Sequence, residues 1–243
     1  MRMWTFAGRN AKELLRDPLN LAFSLGFPLA LLLLLSIIQK NIPVPLFEIR
    51  HLTPGIGVFG LSFMTLFSAT LIAKDRESAL LQRLYTTPLT PMDFILGYTL
   101  PLIPMAVAQS AVCYLAAMVL GLAPTVHVFA CILFTVPISL LYIALGLLCG
   151  SVLNDKQVGG VCGALLTNLS AWLSGIWFDL SLVGGTFQVI ADLLPFVHAV
   201  ELQRAVLLGD HSAIFPHLWY VLGYGIALLM LAVTLFLRQM KRQ

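Results

Sequence analysis

Long uncharged apolar runs, broken by short polar punctuation, fill nearly the whole chain. Six of them approach or exceed the ~20 residues that a helix needs to cross a bilayer: 19–38, 55–73, 94–122, 128–152, 157–178 and 217–237. The pattern predicts an all-α polytopic membrane protein with six transmembrane helices, forming a single membrane domain over residues 1–243. The first run contains Pro28, and the loop 39–54 after it holds three prolines, ending at Pro54. The third run is unusually long and carries Pro101 and Pro104.

Two flanking segments depart from this simple alternation. Residues 3–17 have an amphipathic helical period, with Trp4, Ala7, Ala11, Leu14 and Leu15 on one face and Arg9, Lys12, Glu13 and Arg16 on the other. A basic, tryptophan-bearing helix immediately before a span is expected to lie in the membrane interface, so 1–18 reads as an interfacial helix. The connection 179–216 holds two apolar stretches, 187–194 and 196–208, too short to span and too apolar for water. They are expected to be two re-entrant helices before span six, which needs protein or a water-filled cavity to satisfy their backbone ends. Gly209 sits where a C-terminal cap would end the second.

The stretch 74–93 is the most charged in the chain, with Lys74, Asp75, Arg76, Glu77, Arg83 and Asp93 between two spans. Asp75 is placed to N-cap a helix running to Tyr85, with Leu80, Leu81, Leu84 and Tyr85 on its apolar face and Thr87-Pro88 as its stop. Thr90-Pro91-Met92-Asp93 then has the form of a capping box with proline at the first helical position. A short two-faced helix of this kind suits either a groove on a soluble partner or an interfacial anchor, and the physics alone leaves both open.

Composition sharpens the picture. Only 10% of residues are charged, against roughly 25% in soluble domains, and 59% are hydrophobic. No sizeable water-soluble domain fits beside the spans, and the net charge of +3 gives no reason to expect nucleic acid. If the N-terminus is cytoplasmic, 11 of the 14 lysines and arginines fall on the inner side, including those at 74, 76, 83 and 156. Lys40, Arg50 and Arg204 are left outside, with all five histidines at or beyond the outer edge. The positive-inside rule then places both termini and 74–93 in the cytoplasm of a multi-pass protein of the plasma (inner) membrane. The first apolar run is too long for a signal-peptide core, so none is expected.

Chemistry is mostly excluded. The spans as drawn carry no Asp, Glu, Lys or Arg, which argues against a carrier driven by its own ion relay. No GxxxxGK[ST] phosphate loop occurs, so ATP hydrolysis by that route is not expected of this chain. No HExxH or GxSxG motif is present, and Cys113, Cys131, Cys149 and Cys162 lie scattered in apolar runs. No metal site is expected. His198, Glu201 and Arg204 share a helix face that reads as a solvated outer surface. Neutral polar residues at membrane depth are expected mainly to bond neighbouring helices, with Ser68, Gln109 and Asn168 as candidates to line a translocation path.

In this setting the chain resembles the permease subunits of the ABC type-2 exporter family. The residues that carry the likeness are Arg16-Asp17-Pro18 before span one; Arg76-Glu77-Ser78 through Leu84, Thr87-Pro88 and Leu96-Gly97 around the charged stretch; and Leu194-Pro195 through Arg204-Ala205-Val206 before span six. The G-subfamily multidrug and lipid exporters look similar in their transmembrane architecture but carry a fused ATPase. The resemblance implies that 74–93 is a coupling helix held by a separate cytosolic ATP-binding subunit through Asp75, Arg76, Glu77, Leu80, Leu81, Arg83, Leu84 and Thr87. It implies a second contact at Asn154, Asp155 and Lys156, and a second permease copy, identical or paralogous. It also implies no cofactor in this chain, with ATP and magnesium on the partner. The expected cargo is an amphipathic or hydrophobic small molecule. Lipid-linked polysaccharide export, or a stand-alone channel or facilitator, is the alternative.

Overall fold

The computed structural model describes residues 2–42, 44–78 and 90–240, which are helical or turn with no strand among them. Helix α1 is Arg2–Arg16. A turn at Pro18–Leu21 and a π-helical segment Ala22–Gly26 lead into α2, Phe27–Asn41. Then come α3 (Ile49–Glu77), α4 (Pro91–Thr99), α5 (Leu102–Val119) and α6 (Val126–Val152). Residues 155–172 make one helical column, α7, with a π-helical centre at Gly159–Leu166. After a single turn at Leu180–Val183 follow α8 (Gly185–Leu193), α9 (Pro195–Leu208) and α10 (His211–Met240).

Among the described residues, five stretches are long and apolar enough to cross a membrane: Ala22–Asn41, Ile49–Glu77, Met92–Val119, Val126–Val152 and His211–Leu235. The column 155–172 falls outside that set. It stops at Trp172 rather than continuing to Phe178, because Gly175 takes a left-handed φ of 67° that turns the chain. Its 18 residues would rise roughly 27 Å at the helical pitch. The column and the turn that follows it run beside α3, from the contact of Glu77 with Asp155 at one end to Ile176 against Gly55 at the other.

Several expected boundaries move. Span two starts at Ile49 and ends at Glu77, so Pro54 lies inside the helix. Span six likewise takes in Pro216. Both prolines lie early in their helices, where few backbone bonds are lost. The apolar face assigned to α1 is also corrected: Phe6, Ala7, Asn10 and Leu14 are buried, whereas Trp4 and Leu15 stand out exposed. The helix has two apolar flanks, one packed on α4 and one left free for lipid.

α3 is the centre of the bundle, buried almost throughout its membrane-length window. It packs closest on α6. At Gly146 an added Cβ would strike the backbone of Thr65, and at Gly150 that of Ala69. Small residues one turn apart on the two helices let the backbones approach. Thr65 Oγ1 then donates to the carbonyl of Tyr142 (2.9 Å), and Ser68 Oγ to that of Ile143 (3.1 Å). α9 is buried nearly all round, and its Gln203 accepts from Tyr114 Oη (3.0 Å) and donates to the carbonyl of Cys131 (3.0 Å). Gly209, at φ 73°, ends α9 in the left-handed conformation.

Gly146→Val is expected to wedge α6 off α3 and cost about 1–3 kcal/mol, read as a lower thermal unfolding midpoint of the purified protein. Gly223→Ala, where an added Cβ meets open space, should leave the midpoint unchanged or raise it slightly.

Candidate functional site

The last turn of α3 gathers the charged residues at one end of the bundle. Successive helical residues are rotated by about 100°, so three in a row reach three different neighbours. Asp75, Arg76 and Glu77 do this.

Asp75 is only 1% exposed. Its Oδ2 accepts from Arg9 Nη1 on α1 (2.8 Å) and from Tyr98 Oη on α4 (2.9 Å). Arg9 is held in turn by Glu13 (2.7 Å) and Asn10 Oδ1 (2.8 Å). Arg76 Nη1 donates to the carbonyls of Gly150 (2.8 Å) and Leu153 (3.2 Å). These lie at the C-terminus of α6, where unbonded carbonyls and the helix dipole both favour a cation. Glu77 Oε1 accepts from the backbone N–H of Asp155 (3.0 Å), at the N-terminus of α7, where an anion is favoured. That terminus is already organised by Asn154, whose side chain accepts from Gln157 N while Gln157 Oε1 accepts from Asn154 N.

The docking of α1 has its own logic. Pro101 has no N–H, so no helical donor reaches the carbonyl of Gly97. Asn10 Nδ2, buried on α1, donates to that carbonyl at 3.0 Å. Gly97 has no Cβ, and one there would overlap the ring of Phe6. Phe6 packs edge-on to Tyr98, with ring centroids 5.0 Å apart.

Sequence and structure agree here in part. Asp75, Arg76 and Glu77 converge with Asn154 and Asp155 at one junction, and Lys156 is exposed beside them. Asp75 does not N-cap a coupling helix: α3 runs through it to Glu77, and its carboxylate is buried and occupied. Leu80, Leu81, Arg83, Leu84 and Thr87, with the expected stop at Thr87-Pro88, lie outside the described residues. The Thr90 capping box forms, with Asp93 N donating to Thr90 Oγ1 (3.3 Å) and Thr90 N to Asp93 Oδ2 (2.8 Å). Ser68 is spent on the α3–α6 seam. Gln109 is fully buried, its Nε2 donating to the carbonyl of Gly57 (3.1 Å). Asn168 is exposed and donates to the carbonyl of Ala164 (2.8 Å). Arg9, Asn10 and Tyr98 were missed as site residues. The available signal was Arg9 itself, a cation on an otherwise docked helix that needs an acid in reach.

The family model of the ABC-2 type transporter matches residues 1–208, which take in every element of this junction. The chain belongs to the ABC-2 type transporter family. It is thus a multi-pass membrane component of a transporter, and permeases of this family usually pair with an ATP-binding subunit. A comparison with curated proteins returned no match. Among the described residues no cluster of three potential metal ligands occurs. What the junction of this ABC-2 permease can do is mechanical: one helix end is bonded to α1, α4, α6 and α7 at once.

Asp75→Ala should remove the carboxylate acceptor of the buried Tyr98 hydroxyl and cost about 1–3 kcal/mol, moderated by the partial exposure of Arg9. Tyr98→Phe should cost about 1 kcal/mol. In a double-mutant cycle read by thermal unfolding, the pair should cost less than the sum.

Proposed function

We propose that this chain is the permease subunit of an ATP-driven exporter, with the 74–93 stretch gripped by a separate cytosolic ATP-binding subunit. The observation that carries the reading is the three-way junction of Asp75, Arg76 and Glu77, which ties the entrance of that stretch to four helices. A push or pull delivered beyond Ser78 reaches α1, α4, α6 and α7 together. ATP and magnesium belong to the partner, whose closure on ATP would move the two permeases of the assembly, identical or paralogous. Asn154, Asp155 and Lys156, the last of them exposed, form the second contact.

The junction end is the cytoplasmic one in this reading. Lysine and arginine concentrate there, and α1 presents exposed Trp4 and Leu15 as an interfacial helix would. Both termini on that side require an even number of crossings. The five long helices and the column 155–172 together supply six. The cargo is an amphipathic or hydrophobic small molecule, supported by the scarcity of charge along the spans. Asn168 is the exposed one of the candidate path residues.

Glu77→Arg combined with Leu84→Asp should abolish co-purification with the ATP-binding subunit and transport-linked ATP hydrolysis, while the isolated permease keeps its thermal midpoint to within a few degrees. Glu77→Gln, which preserves an acceptor for Asp155 N, serves as the control. Normal assembly and stimulation by the double variant would overturn the reading. A cysteine in place of Asp210 should react with an impermeant thiol reagent on intact cells; reaction only after lysis would invert the topology.

A further inference from the structure

At the end of the bundle opposite the junction lies a cavity of about 810 Å³, between the 44–47 segment, the turn after α7, α9 and the start of α10. Its lining includes the aromatic side chains of Phe47, Trp177 and Phe178. It also includes His51, Asp179, Glu201, Arg204, Asp210 and His217.

For a neutral pair, the hydrogen bonds fix the tautomers of His198 and of His217, which lines the cavity. His198 Nε2 lies 2.8 Å from the carbonyl of Asp192, which can only accept, so Nε2 carries the hydrogen. The Nδ1 of neutral His198 is then a bare acceptor. His217 Nδ1, 2.9 Å away, must donate to it. His217 therefore keeps Nε2 as an unprotonated acceptor, and this is the ring's remaining polar atom at the cavity. Tyr220 stacks on His198 with centroids 4.0 Å apart and steadies the arrangement.

The charges around the cavity do not cancel. Glu201 and Arg204 neutralise each other at 2.7 Å. Asp179 and Asp210 are each held below the ordinary carboxyl range, first by the backbone of Ser181 and by the hydroxyl of Ser212 respectively, so both are ionised. Apart from the histidines, the charged groups lining the cavity sum to two net negative charges (Asp179, Glu201 and Asp210 against Arg204). An acidic lining, a proton acceptor and aromatic faces together select a cation with an apolar body.

We propose that this cavity binds an amphipathic organic ammonium ion, its N–H donated to His217 Nε2, its charge set against the acidic lining and its apolar body against Phe47, Trp177 and Phe178. The proposal rests on the exporter reading, in which this end faces outward, and narrows the cargo to ammonium amphiphiles. It also supplies a release step. A proton from an acidic exterior adds to His217 Nε2, while the Nδ1–H bond to His198 survives. The acceptor becomes a cationic donor and the ammonium loses its partner. Around His217, Glu201, Asp179 and Asp210 favour that proton; Arg204, His51 and His198 oppose it.

The test uses the full chain in lipid nanodiscs, where both faces are open, with N-dansyl-1,6-diaminohexane as fluorescent probe. Its N-acetylated neutral analogue and dansyl-aminohexanoate are the comparators. The ammonium probe should bind at least roughly tenfold more tightly than either at about pH 8, the scale of one hydrogen bond to a charged group. Its affinity should fall as the pH is lowered through and below the ordinary histidine range. His217→Gln, which keeps an acceptor but cannot titrate, should hold its affinity flat over that interval. Equal binding of the neutral probe, preference for the carboxylate, or an unchanged pH profile in His217→Gln would overturn the proposal. Should His217→Gln not fold, the comparison of the three probes on the native chain still decides. Assembly with the ATP-binding subunit is scored on the same preparation. Assembly without ammonium preference sinks the cavity proposal alone, and ammonium preference without assembly sinks the exporter reading alone.

Discussion

The close approach of α3 and α6 is the contact on which the rest of the bundle depends. In lipid there is no water to satisfy polar groups, so a hydroxyl or guanidinium on one helix must find its partner on another. Thr65, Ser68 and Arg76 all donate to backbone carbonyls of α6 or of the turn that ends it. They reach only because Gly146 and Gly150 let the two backbones close together. With α3 pinned along its length, its last turn has a fixed position and azimuth. That is what lets Asp75, Arg76 and Glu77 each meet a different neighbour.

The balance of charge and geometry at that turn is economical. Each ion sits where a helix end already wants it, the cation against the carbonyls closing α6 and the anion against the amide opening α7. The ion pair of Asp75 with Arg9 differs in kind. Asp75 is buried, and its charge is tolerable because Arg9 and Tyr98 both serve one carboxylate oxygen. The junction is therefore held from inside the bundle as much as from its surface.

Much of this architecture was readable from the chain. The apolar runs locate the long helices, and the Thr90 cap announces a helix start through local side-chain chemistry that needs no tertiary context. The errors share a cause. Pro54 and Pro216 were taken as boundaries, but a proline early in a helix breaks little, so the helices extend past them. Asp75 has every local property of an N-cap. Only the folded chain reveals Arg9, 66 residues earlier, and Tyr98, 23 residues later, as its partners. The faces of α1 were misassigned because period alone cannot tell a flank meant for protein from one meant for lipid. The histidine pair was invisible for a similar reason, since His198 and His217 sit 19 residues apart on different helices.

The break at Pro101 also imposes an order of assembly. The carbonyl it frees on Gly97 is the berth for Asn10, and the two residues are 87 positions apart. Translation at ~5–20 residues per second leaves α1 waiting on the order of ten seconds for its seat to be made. During that time α1 lacks its seat on α4, and its exposed Trp4 and Leu15 give it the means to stay on the membrane surface instead. α1 thus finds its full seat late, only once the third span is inserted.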